Sequence, residues 1–285
     1  MFRPVGRRNA RVGIALAALL VAGCAETAVP AESPLPAGIA LEIIQQRSDV
    51  ADRAVQIRVV NGSAVDLVVT RVELLDARFA APQPRDRISP VPAGRAVDLR
   101  VGLPDAVCGD EHDAAGGPQV RLELADIGTV TAPAADVLDV LGPIHARECF
   151  AARVSAIAVV EVVGFTPSAP GEPATMTVGV QPVGGDGTLE LVELRETNLL
   201  RMPGSAGTAH ALGVVVRGDG APFELAVPLL PTRCDPHAVQ EDKRGTVFGL
   251  GVRLDGVDGV IELASPPALR ADILDWVAAW CEFGS

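Results

Sequence analysis

Apolar and polar positions alternate along most of this chain. In AVQIRVVN (54–61), Val55, Ile57 and Val59 fall on one side. In VVTRVELL (68–75), Val68, Thr70, Val72 and Leu74 alternate with Val69, Arg71, Glu73 and Leu75. RAVDLRVGL (95–103) groups Val97, Leu99 and Val101. MTVGVQP (176–182), TLELVELRE (188–196) and FELAVPLLP (223–231) repeat the same period. A period of two sets one face of a strand against a core and the other against water. Clusters of Gly, Pro, Asn and Asp separate the runs: NGSAVD (61–66), PVPAG (90–94), PVGGDG (182–187) and RGDGAP (217–222). Many short strands so punctuated predict a mostly β fold built from antiparallel sandwiches.

Helical spacing appears twice. In ALRADILDWVAAWCEF (268–283), Leu269, Ile273, Trp276, Val277 and Trp280 form one stripe. Such a stripe is expected to face a core, pinning the helix to its sandwich. Ser265-Pro266 ahead of it predicts a cap followed by an early proline. In AADVLDVLGPIHARECF (134–150), Val137, Leu138, Leu141 and Ile144 share a face, and Gly142-Pro143 is expected to break or kink the helix.

These two stretches belong to a repeat. VRLELADIGTVTAPAADVLDVLGPIHARECF starts at Val120, and VRLDGVDGVIELASPPALRADILDWVAAWCEF starts at Val252. Each runs from Val-Arg-Leu through a glycine turn and a Pro-bounded helical stretch to a cysteine 29 positions on. Upstream, LPDAVC and LLPTRC each place a cysteine after a leucine-proline step. The chain therefore reads as a duplication, with domains at 39–150 and 151–285. Four cysteines are involved, Cys108, Cys149, Cys234 and Cys281, and four allow three pairings. The pairing that respects the duplication is Cys108–Cys149 and Cys234–Cys281.

A fifth cysteine stands apart. Residues 1–23 open with Arg3, Arg7, Arg8 and Arg11 and no acid, then run through VGIALAALLVAG. That apolar run is short for a membrane span and fits a signal peptide. VAGC (21–24) resembles the lipobox of bacterial lipoproteins. The resemblance implies cleavage before Cys24, lipidation of its thiol, and a protein held at the cell membrane on its extracytoplasmic face. Two or more acyl chains anchor firmly where one does not. Residues 24–38, rich in Pro and Ala, then read as a tether. The general pattern of the mature part resembles the tandem Ig-like domains of bacterial surface lipoproteins. It implies two sandwiches, each ending in a short helix tied by its own disulfide.

Charge narrows the function. The chain carries 24 basic and 36 acidic residues, a net −12, and loss of the four leader arginines takes it to −16. Aromatics are 3% of residues and tyrosine is absent. Neither favours a nucleic-acid partner.

The densest chemistry is TRCDPHAVQEDKRGT (232–246), which holds the chain's one lysine. Asp235, His237, Glu241, Asp242, Lys243 and Arg244 are the candidate binding residues. An enzyme would use His237 as base, with Asp235 or Glu241 to orient it. No G-x-S-x-G or H-E-x-x-H accompanies them, and only His112, His145 and His210 supply further imidazoles. A zinc reading would use Cys234 with His237, or Cys108 with His112, short of four ligands in paired spacing. A calcium reading of GDEHD (109–113) lacks EF-hand spacing. The expectation is a charged loop fastened by a disulfide, with no metal, no cofactor and no catalysis. The protein is expected to bind or scaffold an envelope protein or glycan. An exported hydrolase or carbohydrate-active enzyme built on CDPHAVQEDKR is the alternative.

Overall fold

The computed structural model describes Met1 and residues 33–109, 116–204, 207–241 and 244–283, with backbone only at 238, 240 and 241. The signal segment and Cys24 lie outside the described residues, as do 25–32, 110–115, Asp242 and Lys243.

Among the described residues, the first half is a seven-stranded antiparallel sandwich. Its strands are β1 (Ile39–Ile44), β2 (Ala54–Asn61), β3 (Leu67–Leu75), β4 (Arg85–Val91), β5 (Arg95–Gly102), β6 (Gln119–Leu124) and β7 (Gly128–Pro133), with a one-turn α1 (Arg47–Val50) after β1. One sheet runs β1-β2-β5 and the other β4-β3-β6-β7. Alternation explains the layers. Val55, Ile57 and Val59 of β2 are all fully buried, facing Val69 and Val72 of β3 in one core.

The second half repeats this order. Its strands are β8 (Ala158–Thr166), β9 (Ala174–Pro182), β10 (Thr188–Arg195), β11 (Leu200–Arg201), β12 (Ala209–Arg217), β13 (Phe223–Pro231), β14 (Val247–Leu254) and β15 (Val257–Ala264). The sheets run β8-β9-β13-β11 and β12-β10-β14-β15. Apart from the two-residue β11, each strand has a counterpart in the same place in the first half. Even the irregularity recurs. The ladder slips between Val69 and Arg71 of β3, and between Leu191 and Glu193 of its counterpart β10. The duplication read from the C-terminal thirds thus extends to the whole topology. The protein is two tandem Ig-like β-sandwiches.

Each sandwich is closed by a helix stapled by its own disulfide. α2 (Leu141–Ser155) carries Cys149, bonded to Cys108, and Cys281, bonded to Cys234, directly follows α4 (Pro267–Trp280). Both expected pairings are present. The tryptophan stripe is core, as expected. Ile273, Trp276 and Val277 are buried, the Trp276 ring meets Phe165 edge-on at 5.5 Å, and its indole N–H donates to the Ser168 carbonyl at 3.2 Å.

Several expectations are corrected. Gly142-Pro143 starts a helix instead of breaking one. The Asp136 carboxylate accepts from the Val140 and Leu141 N–H groups at 2.7 and 3.0 Å, and a proline in the first turn has no N–H to leave unbonded. Val137 and Leu138 therefore precede the helix and are exposed, while Leu141 and Ile144 are buried. Ser265 caps nothing. The N-cap residue of α4 is Pro266, and the Ser265 hydroxyl has no partner among the described residues. The expected tether is docked from residue 33 onward: Ser33 N–H donates to Thr129 O at 2.9 Å, and Leu35 packs on the first core. The Gly- and Ala-rich stretch at 200–210 begins as a short strand, with Leu200 and Met202 buried.

The boundary drawn between residues 150 and 151 runs through α2. Leu141 and Ile144 sit in the first core, whereas Val154 belongs to the second and Phe150 packs against it. One helix is shared by two cores.

Candidate functional site

The charged segment begins where β13 ends. Cys234 is tied to Cys281, and Asp235 then turns the chain. Its side chain accepts from the His237 N–H at 3.0 Å, and its carbonyl accepts from Val239 N–H at 3.1 Å. Pro236 follows, with φ already suited to a helix, and a single short helix, α3 (Pro236–Glu241), forms. Val239 is the apolar anchor, buried in the second core. The return path closes on hydrogen bonds: Thr197 Oγ1 donates to Gly245 O at 2.8 Å, and Ser265 N–H donates to Thr246 O at 3.0 Å.

Among the described candidate residues, the fold joins Asp235 and His237 through the backbone. Both side chains are exposed. A carboxylate engaged with an N–H that starts a helix caps the chain; it does not orient an imidazole. Arg244 pairs with Glu262 at 2.6 Å, across to β15. The side chain of Glu241, and all of Asp242 and Lys243, lie outside the described residues.

The corresponding corner of the first sandwich holds the Cys108–Cys149 bridge. His112 and most of GDEHD lie outside the described residues. The imidazole beside the Cys108–Cys149 bridge is instead His145, one turn before Cys149 on α2. Its Nε2 is 3.0 Å from Val107 O and 3.4 Å from Cys149 Sγ, and Phe79 meets the ring edge-on. A carbonyl only accepts, so Nε2 carries the proton and donates to Val107 O. Donor atoms of Cys108, His145 and Cys149 lie within 4.8 Å of one another. Two sulfurs bonded to each other are not thiolates, and a protonated Nε2 has no lone pair to give. That triad ties the corner together and is not a ligand set. The sequence does carry its signal: H-x-x-x-C in a helix puts both side chains on one face.

Between the sandwiches lies a cleft of about 450 Å³, lined by Val50, Arg53, Arg147, Glu148 and Glu161 among others. Arg53 is in the left-handed region, φ 51°. Its guanidinium donates to Leu103 O and Pro104 O at 2.8 and 2.7 Å and grips Glu148 of α2 with two nitrogens, at 2.6 and 2.7 Å. Those contacts bind the loops of the first sandwich to the shared helix, so the cleft wall is structural.

No helix among the described residues is long and apolar enough to cross a membrane. No protein-family model and no curated protein matches the chain. Similar solved structures include red sea bream transglutaminase, at 16% identity over 81% of this chain and 32% of that one, with a TM-score of 0.24. The calcium binding domain CBD12 of CALX1.1 is similar at 11% identity over 77% and 79% of the two chains, TM-score 0.20. CBD12 of CALX1.2 gives 12% over 78% and 82%, TM-score 0.21. Likeness at this level carries nothing about a site.

Proposed function

We propose that this chain is an exported lipoprotein, anchored through Cys24 to the extracytoplasmic face of the cell membrane. It would present two rigid sandwiches for a non-catalytic binding or scaffolding role toward an envelope protein or glycan. The observation that carries this reading is the pair of disulfides, one inside each sandwich. Such bridges persist in oxidising compartments and are rare in the cytosol. They agree with the lipobox at VAGC (21–24) and with a strongly acidic mature surface. The segment 232–246 fits the same reading, because Asp235, Val239, Gly245 and Arg244 are engaged in holding the corner of the second sandwich.

Labelled palmitate should enter the wild-type protein in bacterial cells and should not enter Cys24→Ala. The wild-type protein should also stay with the membrane after high-salt and carbonate washing. Equal labelling of the alanine variant, or release of the wild type by those washes, would overturn the anchor.

A further inference from the structure

The two bridges are built alike, and one neighbour separates them. In each, one cysteine is exposed and the other half-buried: Cys108 with Cys149, and Cys234 with Cys281. They join positions 41 and 47 residues apart. The half-buried sulfur meets a different group in each. Cys149 Sγ lies 3.4 Å from His145 Nε2, the nitrogen that carries the ring proton. Cys281 Sγ faces the Arg233 carbonyl at 3.8 Å, and among the described residues no N–H or O–H donates to that bridge.

Thiol–disulfide exchange favours the first arrangement. A thiolate attacks the accessible sulfur, and the other sulfur departs as a thiolate. The better the departing thiolate is stabilised, the faster it leaves. In the closed bridge the Nε2 proton of His145 is donated to Val107 O at 3.0 Å. Cys149 Sγ is within reach of the same hydrogen, which turns to the sulfur as negative charge gathers there. A hydrogen bond to a charged acceptor is roughly twice as strong as one to a neutral acceptor. Phe79, edge-on to the imidazole with centroids 6.1 Å apart, keeps the ring in place.

The corner also holds together without its S–S bond. Val107 N–H donates to Arg78 O at 2.9 Å, and Ala80 N–H donates to Asp105 O at 2.8 Å. Arg53 joins Leu103 O and Pro104 O to Glu148, the residue before Cys149. Opening the bridge therefore leaves the two sulfurs close enough to re-form it.

We propose that the Cys108–Cys149 bridge is an exchange site for a dithiol reductant, with Cys108 as the attacked sulfur and His145 as hydrogen-bond donor to the departing Cys149. A bond forms between a reductant thiolate and Cys108 Sγ as the Cys108–Cys149 bond breaks. Negative charge passes from the attacking sulfur to Cys149 Sγ, and the proton stays on Nε2. The reductant's second thiolate then attacks the reductant sulfur of the mixed disulfide and releases Cys108. The reductant ends as a disulfide, and the protein ends as two thiols that take up the two protons of the dithiol. The site needs no lipid on Cys24, so it goes beyond the anchoring reading and stands or falls apart from it.

The full-length protein in a non-ionic detergent is treated with dithiothreitol, quenched with iodoacetamide at intervals and mapped by mass spectrometry. Cys108 and Cys149 should be alkylated about tenfold sooner than Cys234 and Cys281. Glutathione, a monothiol, used in place of dithiothreitol should be trapped on Cys108 and not on Cys149. His145→Phe should slow opening of the first bridge about tenfold and leave the second bridge unchanged. A merely structural histidine gives the opposite sign, because losing its tie to Val107 would loosen the corner and speed opening. Opening of the second bridge as fast as the first, glutathione on Cys149 or absent from Cys108, or unchanged or faster opening of the first bridge in His145→Phe would overturn the proposal.

Discussion

Asp49 and Asp76 are both almost shut off from water, with side chains 1% and 2% exposed, yet both remain charged. Burial by itself would raise their pKa values. At Asp49 it is outweighed by hydrogen bonds from the Gln56 side chain, the Gln46 N–H and the Arg100 guanidinium. At Asp76 it is outweighed by the Arg78 guanidinium and N–H, with His145 adding attraction. Each pKa ends below the ordinary 3.8. A carboxylate that is more acidic folded than unfolded stabilises the fold above the unfolded value. That contribution drains away as pH falls from 3.8 toward the depressed value. The urea midpoint of the protein should therefore hold nearly steady down to about pH 4 on this account and drop below it. Asp49→Asn combined with Asp76→Asn should flatten that drop, at a cost near neutral pH of about 3 kcal/mol at the enclosed Asp76–Arg78 pair and about 1 kcal/mol at Asp49, whose partner Arg100 is half-exposed. At this scale the sequence was only partly legible. Asn61 announced a turn, but not that its amide nitrogen would donate to both Val65 O and Val91 O at 2.9 Å. The H-x-x-x-C spacing places His145 beside Cys149, but it does not tell that the imidazole would donate to Val107 O, 38 residues away.

At the scale of elements, the strands followed their alternation closely. The runs read at 54–61 and 223–231 coincide with β2 and β13. Helix boundaries were less legible. Whether Gly142-Pro143 ends or begins a helix depends on Asp136, which accepts the N–H groups of the opening turn. The staples are the elements' strongest local constraint. The bridges span 41 and 47 residues, and each should contribute about 4 kcal/mol by restricting the unfolded chain. Paired substitution of Cys108 and Cys149 by serine, or of Cys234 and Cys281, should lower unfolding free energy in denaturant by about that amount. Loss of less than about 1 kcal/mol would mean that helix packing already does the work of the bridge.

At the scale of the molecule, α2 decides whether there are two folding units or one. Its first turn is in one core and Val154 is in the other. Between them the Phe150 ring lies directly on Gly259 of β15, where a side-chain carbon would collide with it, and Arg153 sits 5.5 Å above the ring. Arg53 holds the same helix to the first sandwich through Glu148. The two halves should melt together in calorimetry. Phe150→Ala should separate them into two transitions and cost the second half about 2 kcal/mol. Gly259→Val should split the transition the same way by pushing the ring off the sheet. A single sharp transition in both variants would show that the sandwiches are coupled by some other contact.

The sequence by itself determined the layers, the repeat and the pairing of the cysteines. Alternation and spacing are local properties, and duplication makes each half a template for the other. Only the tertiary structure decided where the first sandwich ends, that residues 33–38 dock on it, and that Ser265 is buried without a partner among the described residues. Each of these depends on which distant segment arrives beside the residue. A linear pattern of apolar and polar positions does not carry that information.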